Sequence, residues 1–288
     1  MLKATTILAR QGFPSEDPAL APDSPRRFAD GAAWKIEIPS TESPRALRAV
    51  IDEAAARKVP VHRISQGSGI MLLTDAEIIE MVALGQANNI EVNLFVGPRA
   101  TFDVGAQVFS PAGRSLGLSL RGANQLGYAL EDVLRAVRLG VKSILVSDLG
   151  NLMVMGTAKK NGDLPTDLII KTSVMMAPCN PVSARLLEDL GATTINIPSD
   201  LSIPQIAAIR QAIAAPIDFY VEAPDNIGGF LRYYEIPELI RVAAPIYLKF
   251  GLRNSPDIYP CGSHIENTAI ALTRERVRRA EMALGFMA

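Results

Sequence analysis

The sequence is poor in cysteine and in net charge, and each shortage excludes a class of protein. Its 288 residues include two cysteines, and the formal net charge is -1 at pH 7. Two cysteines are too few for a disulfide framework or a cysteine-built metal cluster, so we expect a reducing compartment. A charge this close to zero lacks the basic excess of a nucleic-acid binder, so no nucleic-acid partner is expected.

Long apolar runs are also missing. No stretch of 18 or more apolar residues occurs, and the first residues lack the apolar segment of a signal peptide. We therefore expect a cytoplasmic protein that has no membrane partner. The composition is nevertheless 48% hydrophobic and 20% charged, which is enough for a sizeable core. At this length the chain forms one large α/β domain or two ordinary ones.

What the sequence does contain is a set of strand-like segments with one charged face. Residues 34–38, 90–94, 217–222 and 246–250 alternate apolar with polar or charged residues. Side chains in a strand alternate between faces, so each segment has an apolar side and an ionisable side. Helix-like segments separate these strands, and this alternation predicts a parallel sheet.

Eight such strands, each followed by a helix, predict a single (β/α)8 TIM barrel, a fold that typically needs roughly 250 residues. Residues 1–30 show no period and are expected to form an extended lead-in to a barrel domain at 31–288. A long connection after strand 3, residues 97–125, is typical of a functional lid. The alternative, an open doubly wound sheet, needs a glycine-rich turn after strand 1, where the sequence reads IPSTESP.

In a closed barrel the charged faces of the strands meet inside. Barrel interiors ordinarily hold branched aliphatic residues, and an uncompensated buried charge costs several kcal/mol. The charges therefore form a balanced ladder that serves packing alone, or they act on a ligand at the C-terminal ends of the strands. The residues predicted to be catalytic are Glu37, Asp148, Lys171, Glu222 and Lys249. Those predicted to bind substrate are His62, Arg63, Asn93, Arg99, Ser173, Asn196 and Arg253.

Two reaction types are open for this set. In the first, Glu222 is a general base, the lysines stabilise developing negative charge, and Arg63 or Arg99 anchors the substrate. In the second, Lys171 or Lys249 is a base or an imine-forming nucleophile, because a buried amine near another cation has a lowered pKa. The period of two places Glu222 on the inward face of its strand.

Three other features of the sequence suggest a metal site, an anion site and a solvated helix face. A divalent metal held by His62 with Glu37, Asp148 or Glu222 is a third hypothesis, since carboxylate and imidazole suit Mg, Mn or Zn. The glycine-rich turn at 62–69 is either an anion cradle or a tight turn without a ligand. The final helix carries four arginines that we interpret as a solvated face, namely Arg274, Arg276, Arg278 and Arg279.

Several motifs lie between about Gly140 and Phe250. They read GVKSILVSDLGNL, then CNPVSARLLEDLGATTINIPSDLSIPQIAAIR, then DFYVEAP. This segment, about two-fifths of the chain, resembles the collagenase-like U32 peptidase family, and Asp148, Ser173 and Asn180 lie in its matched parts. The resemblance implies a barrel and, by analogy, peptidase or other hydrolytic activity.

The sequence also departs from that family. Where the family has His-Gly followed by a cysteine, this chain has Glu222-Ala223 and the cysteines are missing. An iron–sulfur cluster of the kind that some relatives bind is therefore not expected, and a divalent metal ion is the only cofactor left open.

These observations predict an enzyme that acts on a small molecule bearing a carboxylate or another anionic group. The first hypothesis is a hydrolase similar to the U32 peptidases. The alternatives are a lyase or isomerase that uses a barrel lysine, and a non-catalytic ligand-binding or scaffold subunit. Apolar residues near the connection after strand 3 favour a homodimer.

Overall fold

The computed structural model describes residues 3–97, 110 and 117–287. Its strands are β1 (Trp34–Pro39), β2 (Arg63–Gln66), β3 (Glu91–Phe95), β4 (Ser143–Val146), β5 (Ile169–Thr172), β6 (Ile195–Asn196), β7 (Ile217–Glu222) and β8 (Ile246–Phe250). Its helices are α1 (Ala4–Arg10), α2 (Pro44–Arg57), α3 (Asp75–Ala87), α4 (Gly122–Arg138), α5 (Leu149–Asn161), α6 (Pro181–Asp189), α7 (Ile203–Ala212), α8 (Ile236–Ala243) and α9 (Glu266–Leu284).

The strands form one parallel sheet that closes on itself. Their order is β5-β4-β3-β2-β1-β8-β7-β6, so neighbours in the chain are neighbours in the sheet and β1 pairs with β8. A parallel bridge between Lys171 and Thr194 joins β5 to the residue before β6. Parallel neighbours need a crossover, and helices α2 to α8 supply it between successive strands. The predicted single (β/α)8 barrel is confirmed.

The hydrophobic core lies between the sheet and the surrounding helices. The outward side chains of the strands, such as Ile36, Ile64, Ile144 and Phe219, are fully buried there. Several helices begin at a side chain that accepts a hydrogen bond from the first turn, which satisfies an otherwise unpaired backbone N–H. These capping residues are Ser43, Thr74, Asp148, Asn180 and Ser202.

The lead-in segment covers the N-terminal end of the barrel. Ser24 is buried, its backbone N–H donates to the carbonyl of Arg241 at 2.7 Å, and its hydroxyl donates to Ala244. The Phe28 ring lies edge-on to Tyr247, with the centroids 5.0 Å apart. The segment is not extended throughout, because residues Ala4–Arg10 are helical. The domain boundary at residue 30 stays a prediction.

Two further features differ from or add to the sequence-based expectations. Helix α4 begins at Gly122, inside the stretch that we expected to be a connection. Gly122 and Asn124 have low helix propensity, so this first turn was difficult to predict from the sequence. Among the described residues, no helix has the length and hydropathy that crossing a bilayer requires.

Candidate functional site

Six charged side chains meet inside the barrel, three acids and three cations. Each side chain points inward from its strand, at every second position. The structure therefore contains the predicted convergence of charged side chains. Five of them are at most 2% exposed, and the sixth, Glu91, has a side chain that is 19% exposed. The six residues are Glu37, Arg63, Glu91, Lys171, Asp218 and Lys249.

Arg63 is fully engaged in this cluster. Its Nε and Nη2 donate to the two carboxylate oxygens of Glu91 at 2.7 and 3.1 Å, and its Nη1 donates to Asp218 at 2.8 Å. The Tyr247 ring lies 3.5 Å from the guanidinium carbon. Burial opposes the charge, but the neighbouring acids outweigh it and raise the pKa of Arg63. Each nitrogen already has a protein partner, so this geometry does not support the predicted role in anchoring a substrate.

Glu37 lies between the two lysines. It accepts a hydrogen bond from Lys171 Nζ and another from the Ser65 hydroxyl at 2.6 Å, and Lys249 Nζ lies 3.5 Å away. Burial would raise the pKa of Glu37, but Lys171, Lys249 and Arg63 together lower it. The carboxylate is therefore ionised, and two ammonium groups share one acid.

Lys171 is the most deeply placed amine, with no exposed surface. Burial lowers its pKa to about 8, against the opposing effect of Glu37. The cations Lys249 and Arg63 also lower it. The pKa of Lys171 is thus shifted toward neutral pH. This is the direction that a catalytic amine requires, as the sequence analysis expected.

This lowered pKa predicts a change of stability in alkaline solution. Lys171 titrates at about 8 in the folded protein and near 10.5 in the unfolded chain, so between these pH values the unfolded state holds more protons. The contribution of Lys171 to the unfolding free energy therefore rises with pH across that window. Below about pH 8 the amine is charged in the folded protein, so the full cost of burying that charge applies. Between about pH 8 and pH 10.5, we expect the unfolding free energy of the wild type to increase by on the order of 1–3 kcal/mol relative to that of Lys171→Met.

Denaturant titrations of both proteins at several pH values measure this difference. Parallel pH profiles for the wild type and Lys171→Met would contradict the burial of a charged amine.

Lys249 has the loosest acid pairing of the cluster. Besides Glu37 at 3.5 Å, its Nζ faces the Tyr220 ring, whose centroid is 4.0 Å away. The contacts of Asn196 require the amide orientation in which its oxygen accepts from Lys249 Nζ at 2.7 Å. Tyr220 is partly exposed although it faces inward from β7. The structure therefore brings Lys249 and Asn196 together near the C-terminal end of β8, with the partly exposed Tyr220 beside Lys249.

Glu222 does not point into the barrel. Strand register pairs Asp218 with Tyr247 and Tyr220 with Lys249, but a β-bulge then pairs Glu222 with Phe250, whose side chain faces outward. A bulge adds one residue to a strand and moves the following side chain to the opposite face. Glu222 accepts from the Tyr233 hydroxyl and lies 4.0 Å from Arg279, both outside the barrel. The predicted inward orientation of Glu222 is wrong.

Asp148 and His62 also lie away from the charged cluster. The two carboxylate oxygens of Asp148 accept from the backbone N–H groups of Asn151 at 2.8 Å and Leu120 at 3.1 Å, so the residue caps α5. His62 precedes β2, and its Nδ1 accepts from the Ile36 backbone N–H at 3.1 Å. Burial and the nearby Lys35 lower the pKa of His62.

The proposed metal ligands are therefore not brought together. Glu37 is inside the barrel, Asp148 caps a helix, Glu222 faces α9, and His62 is tied to β1. Within the described part of the chain, no group of three or more His, Cys, Asp and Glu side chains is arranged to hold a metal ion.

The other predicted substrate-binding residues are divided between the interior and the rim. Asn93 is buried inside, where it donates to the Ser143 hydroxyl at 2.7 Å. Ser173 is 7% exposed just after β5 and caps the turn that follows it. Arg253 is on the surface and pairs with Asp225 at 3.0 Å. Arg99 lies outside the described residues.

The glycine-rich turn after β2 already holds an anion that belongs to the protein. The backbone N–H groups of Gly67 and Ser68 donate to Glu42 at 2.8 and 2.9 Å, and the Ser68 hydroxyl donates to it at 2.6 Å. Ser68 in turn accepts from the Cys261 backbone N–H at 2.8 Å. The turn is thus a cradle, as one interpretation of the sequence held, but its occupant is an internal carboxylate.

Sequence reasoning missed Arg276, which is buried and not on a solvated face. It is 4% exposed, and its Nε and Nη1 have no hydrogen-bond partner in the described part of the chain. Burial lowers the pKa of Arg276, and four neighbouring side chains oppose this shift electrostatically, namely Tyr259, Glu42, Tyr220 and Glu222. These neighbours lie near or after the C-terminal ends of strands of the barrel, which places Arg276 near its mouth. The helical period of the sequence could have indicated that Arg276 is buried. Position 276 falls on the same face of α9 as the buried positions 269, 273, 277 and 280.

The fold and the buried site define a (β/α)8 barrel of the kind that enzymes use. A model of peptidase family U32 matches residues 120–223, which span β4 to β7. The predicted resemblance to that family is confirmed for this part, although the match begins earlier and ends sooner than the sequence motifs suggested. A comparison with curated proteins finds no match.

Solved structures share the fold over most of the chain. The U32 peptidase Mk0906 is 16% identical with a TM-score of 0.46, covering 81% of this chain and 97% of its own. A putative fructose-1,6-biphosphate aldolase from Coccidioides immitis is 14% identical with a TM-score of 0.51, covering 86% and 87%. Identities this low show the fold alone.

Proposed function

We propose that the protein is a lyase or isomerase that uses Lys249 on a small carbonyl compound with an anionic group. The observation that carries this proposal is the position of Lys249. Its amine lies at the C-terminal end of the barrel, beside the partly exposed Tyr220, and the nearest acid, Glu37, is in direct contact with Lys171.

The proposed reaction uses the neutral form of the Lys249 amine, which is the form that acts as a base or a nucleophile. Lys171, the other amine of the cluster, is in direct contact with Glu37, whereas Lys249 lies 3.5 Å from that acid. The neutral nitrogen then either removes the proton next to the substrate carbonyl or attacks the carbonyl carbon. In the second route water leaves and an imine forms between the substrate and Nζ.

Arg276 is the residue best suited to hold the anionic end of the substrate. Its guanidinium keeps two unpaired, buried nitrogens near Tyr220, and Tyr220 itself contacts Lys249. A guanidinium is preferred for binding carboxylate or phosphate groups. Arg63, which the sequence suggested for this role, is already paired with Glu91 and Asp218.

Hydrolysis is the second candidate, and the match of the U32 family model favours it. The general base predicted for hydrolysis, Glu222, is poorly placed because it faces α9. Asp148, which was also predicted to be catalytic, caps α5. A hydrolase built on this site would instead rely on the lysine charges to stabilise a developing oxyanion.

Reductive trapping tests the imine route. Wild-type protein is incubated with small 2-oxo acids and borohydride, and peptide mapping by mass spectrometry locates the adduct. We expect one adduct, on Lys249. Lys249→Met should lose it and Lys35→Met should keep it, because Lys35 lies at the opposite end of the barrel and pairs with Asp30 at 2.7 Å. An adduct on Lys171 or on surface lysines would show that Lys249 is the wrong residue.

A further inference from the structure

A second candidate binding site lies outside the barrel, at the end opposite Lys249. A surface cavity of about 210 Å³ is lined by the C-terminal part of α7, by Val242 of α8 and by residues 22–26 of the lead-in segment. Two arginines line it, Arg26 and Arg210. They come from separate parts of the chain, and the cavity is the place where those parts meet.

Arg210 is a buried cation with unused donors. It is 4% exposed, and its Nη2 donates to the backbone carbonyl of Ile213. Its Nε and Nη1 have no hydrogen-bond partner among the residues that the structure describes. Buried polar groups in folded proteins nearly always have partners, so unpaired donors on a residue that lines a cavity point to a missing acceptor. The pKa of Arg210 is lowered to about 10, by burial first and then by Arg26.

Among the described residues, the two nearby carboxylates, Asp23 and Glu188, do not supply that acceptor. Asp23 lines the cavity but forms its ion pair with Arg241. Glu188 acts on Arg210 at a distance, and its Oε1 accepts from the backbone N–H groups of Ala214 and Ala215 at 2.8 and 2.6 Å. Two arginines therefore line one cavity, and Asp23 and Glu188 are engaged elsewhere.

We propose that this cavity binds a small oxyanion of the phosphate type, held by Arg210 from α7 and Arg26 from the lead-in segment. A doubly charged oxyanion suits two guanidinium groups and supplies several acceptor oxygens. Because the two arginines belong to separate parts of the chain, the bound anion fastens the lead-in segment to the N-terminal end of the barrel. This site is independent of the chemistry at Lys249.

Titration of the intact protein with inorganic phosphate tests the proposal. Chloride keeps the ionic strength constant, and both calorimetry and the thermal unfolding midpoint are followed. We expect saturable binding and a rise of the midpoint with phosphate. Arg26→Met should weaken binding at least threefold, and Arg210→Met at least tenfold. Arg27→Met is the matched control, because the Arg27 guanidinium already donates to the carbonyls of Ser24 and Arg26 at 2.9 and 2.7 Å.

The outcomes are distinct. Loss of affinity in Arg26→Met with unchanged affinity in Arg27→Met supports the site, even if Arg210→Met does not fold. Equal losses in both variants would mean general attraction of anions and would overturn the proposal, as would the absence of saturable binding in the wild type. Acetate at the same ionic strength should bind more weakly, and equal binding of acetate would overturn the assignment to a phosphate-type anion.

Discussion

Replacing Glu37 with glutamine is expected to lower the unfolding free energy by about 3–5 kcal/mol, because it leaves two buried amines without their shared acid. Lys171 contacts Glu37 directly and Lys249 lies 3.5 Å from it, and all three side chains are at most 3% exposed. A loss of this size is a large part of the total stability of an ordinary domain, roughly 5–15 kcal/mol.

Glu80→Gln is the control for this measurement. Glu80 also pairs with an arginine, Arg48, but both side chains are about half exposed at 42% and 54%. An exposed pair contributes about 0–1 kcal/mol, so its loss should hardly change the denaturant midpoint. Similar effects of Glu37→Gln and Glu80→Gln would show that Glu37 does not hold the amines in place.

A double variant separates lost pairing from lost packing. Glu37→Leu with Lys171→Met removes the acid and the amine in direct contact with it, and apolar replacements of a buried pair are often no less stable. We expect a favourable coupling of roughly 2–3 kcal/mol in the double-mutant cycle. Additive losses would indicate that shape, and not charge, makes Glu37 important.

The fold followed from sequence because the chain repeats a simple pattern. Alternation in segments such as 217–222 and 246–250 gave the strands, and the helices between them gave the parallel closed sheet. The same period placed Glu37, Lys171 and Lys249 in one interior. Their grouping was predictable because inward positions of neighbouring strands meet in a closed barrel.

The site could not be predicted completely, for two physical reasons. A single extra residue in β7 turns Glu222 outward, and period-two reasoning assumes that no strand contains a bulge. Arg276 looked like one of four surface arginines, although its register on α9 matches the buried Ala269, Thr273 and Val277. Long-range partners also stay hidden in sequence, as the carboxylate of Glu42 in the turn at Gly67 shows.

Replacing Lys249 with methionine is expected to slow the reaction about 10²- to 10⁴-fold, the usual contribution of a positioned acid–base group. The proposal requires the lone pair of Nζ, and methionine fills similar space without it. Lys249 is 2% exposed, and among the described residues its one acidic partner is Glu37 at 3.5 Å, so the change should cost less stability than Glu37→Gln. Exchange of substrate protons next to the carbonyl, followed by NMR in deuterated buffer, measures the rate.

Lys249→Arg decides between the two reaction types. Arginine keeps the positive charge but stays protonated, so it can stabilise an oxyanion and cannot remove a proton or form an imine. If Lys249 is a base or nucleophile, Lys249→Arg should be as slow as Lys249→Met. A variant that keeps most of its rate with arginine would mean that the ammonium charge is what matters. Hydrolysis with electrostatic stabilisation would then be the better account of this barrel.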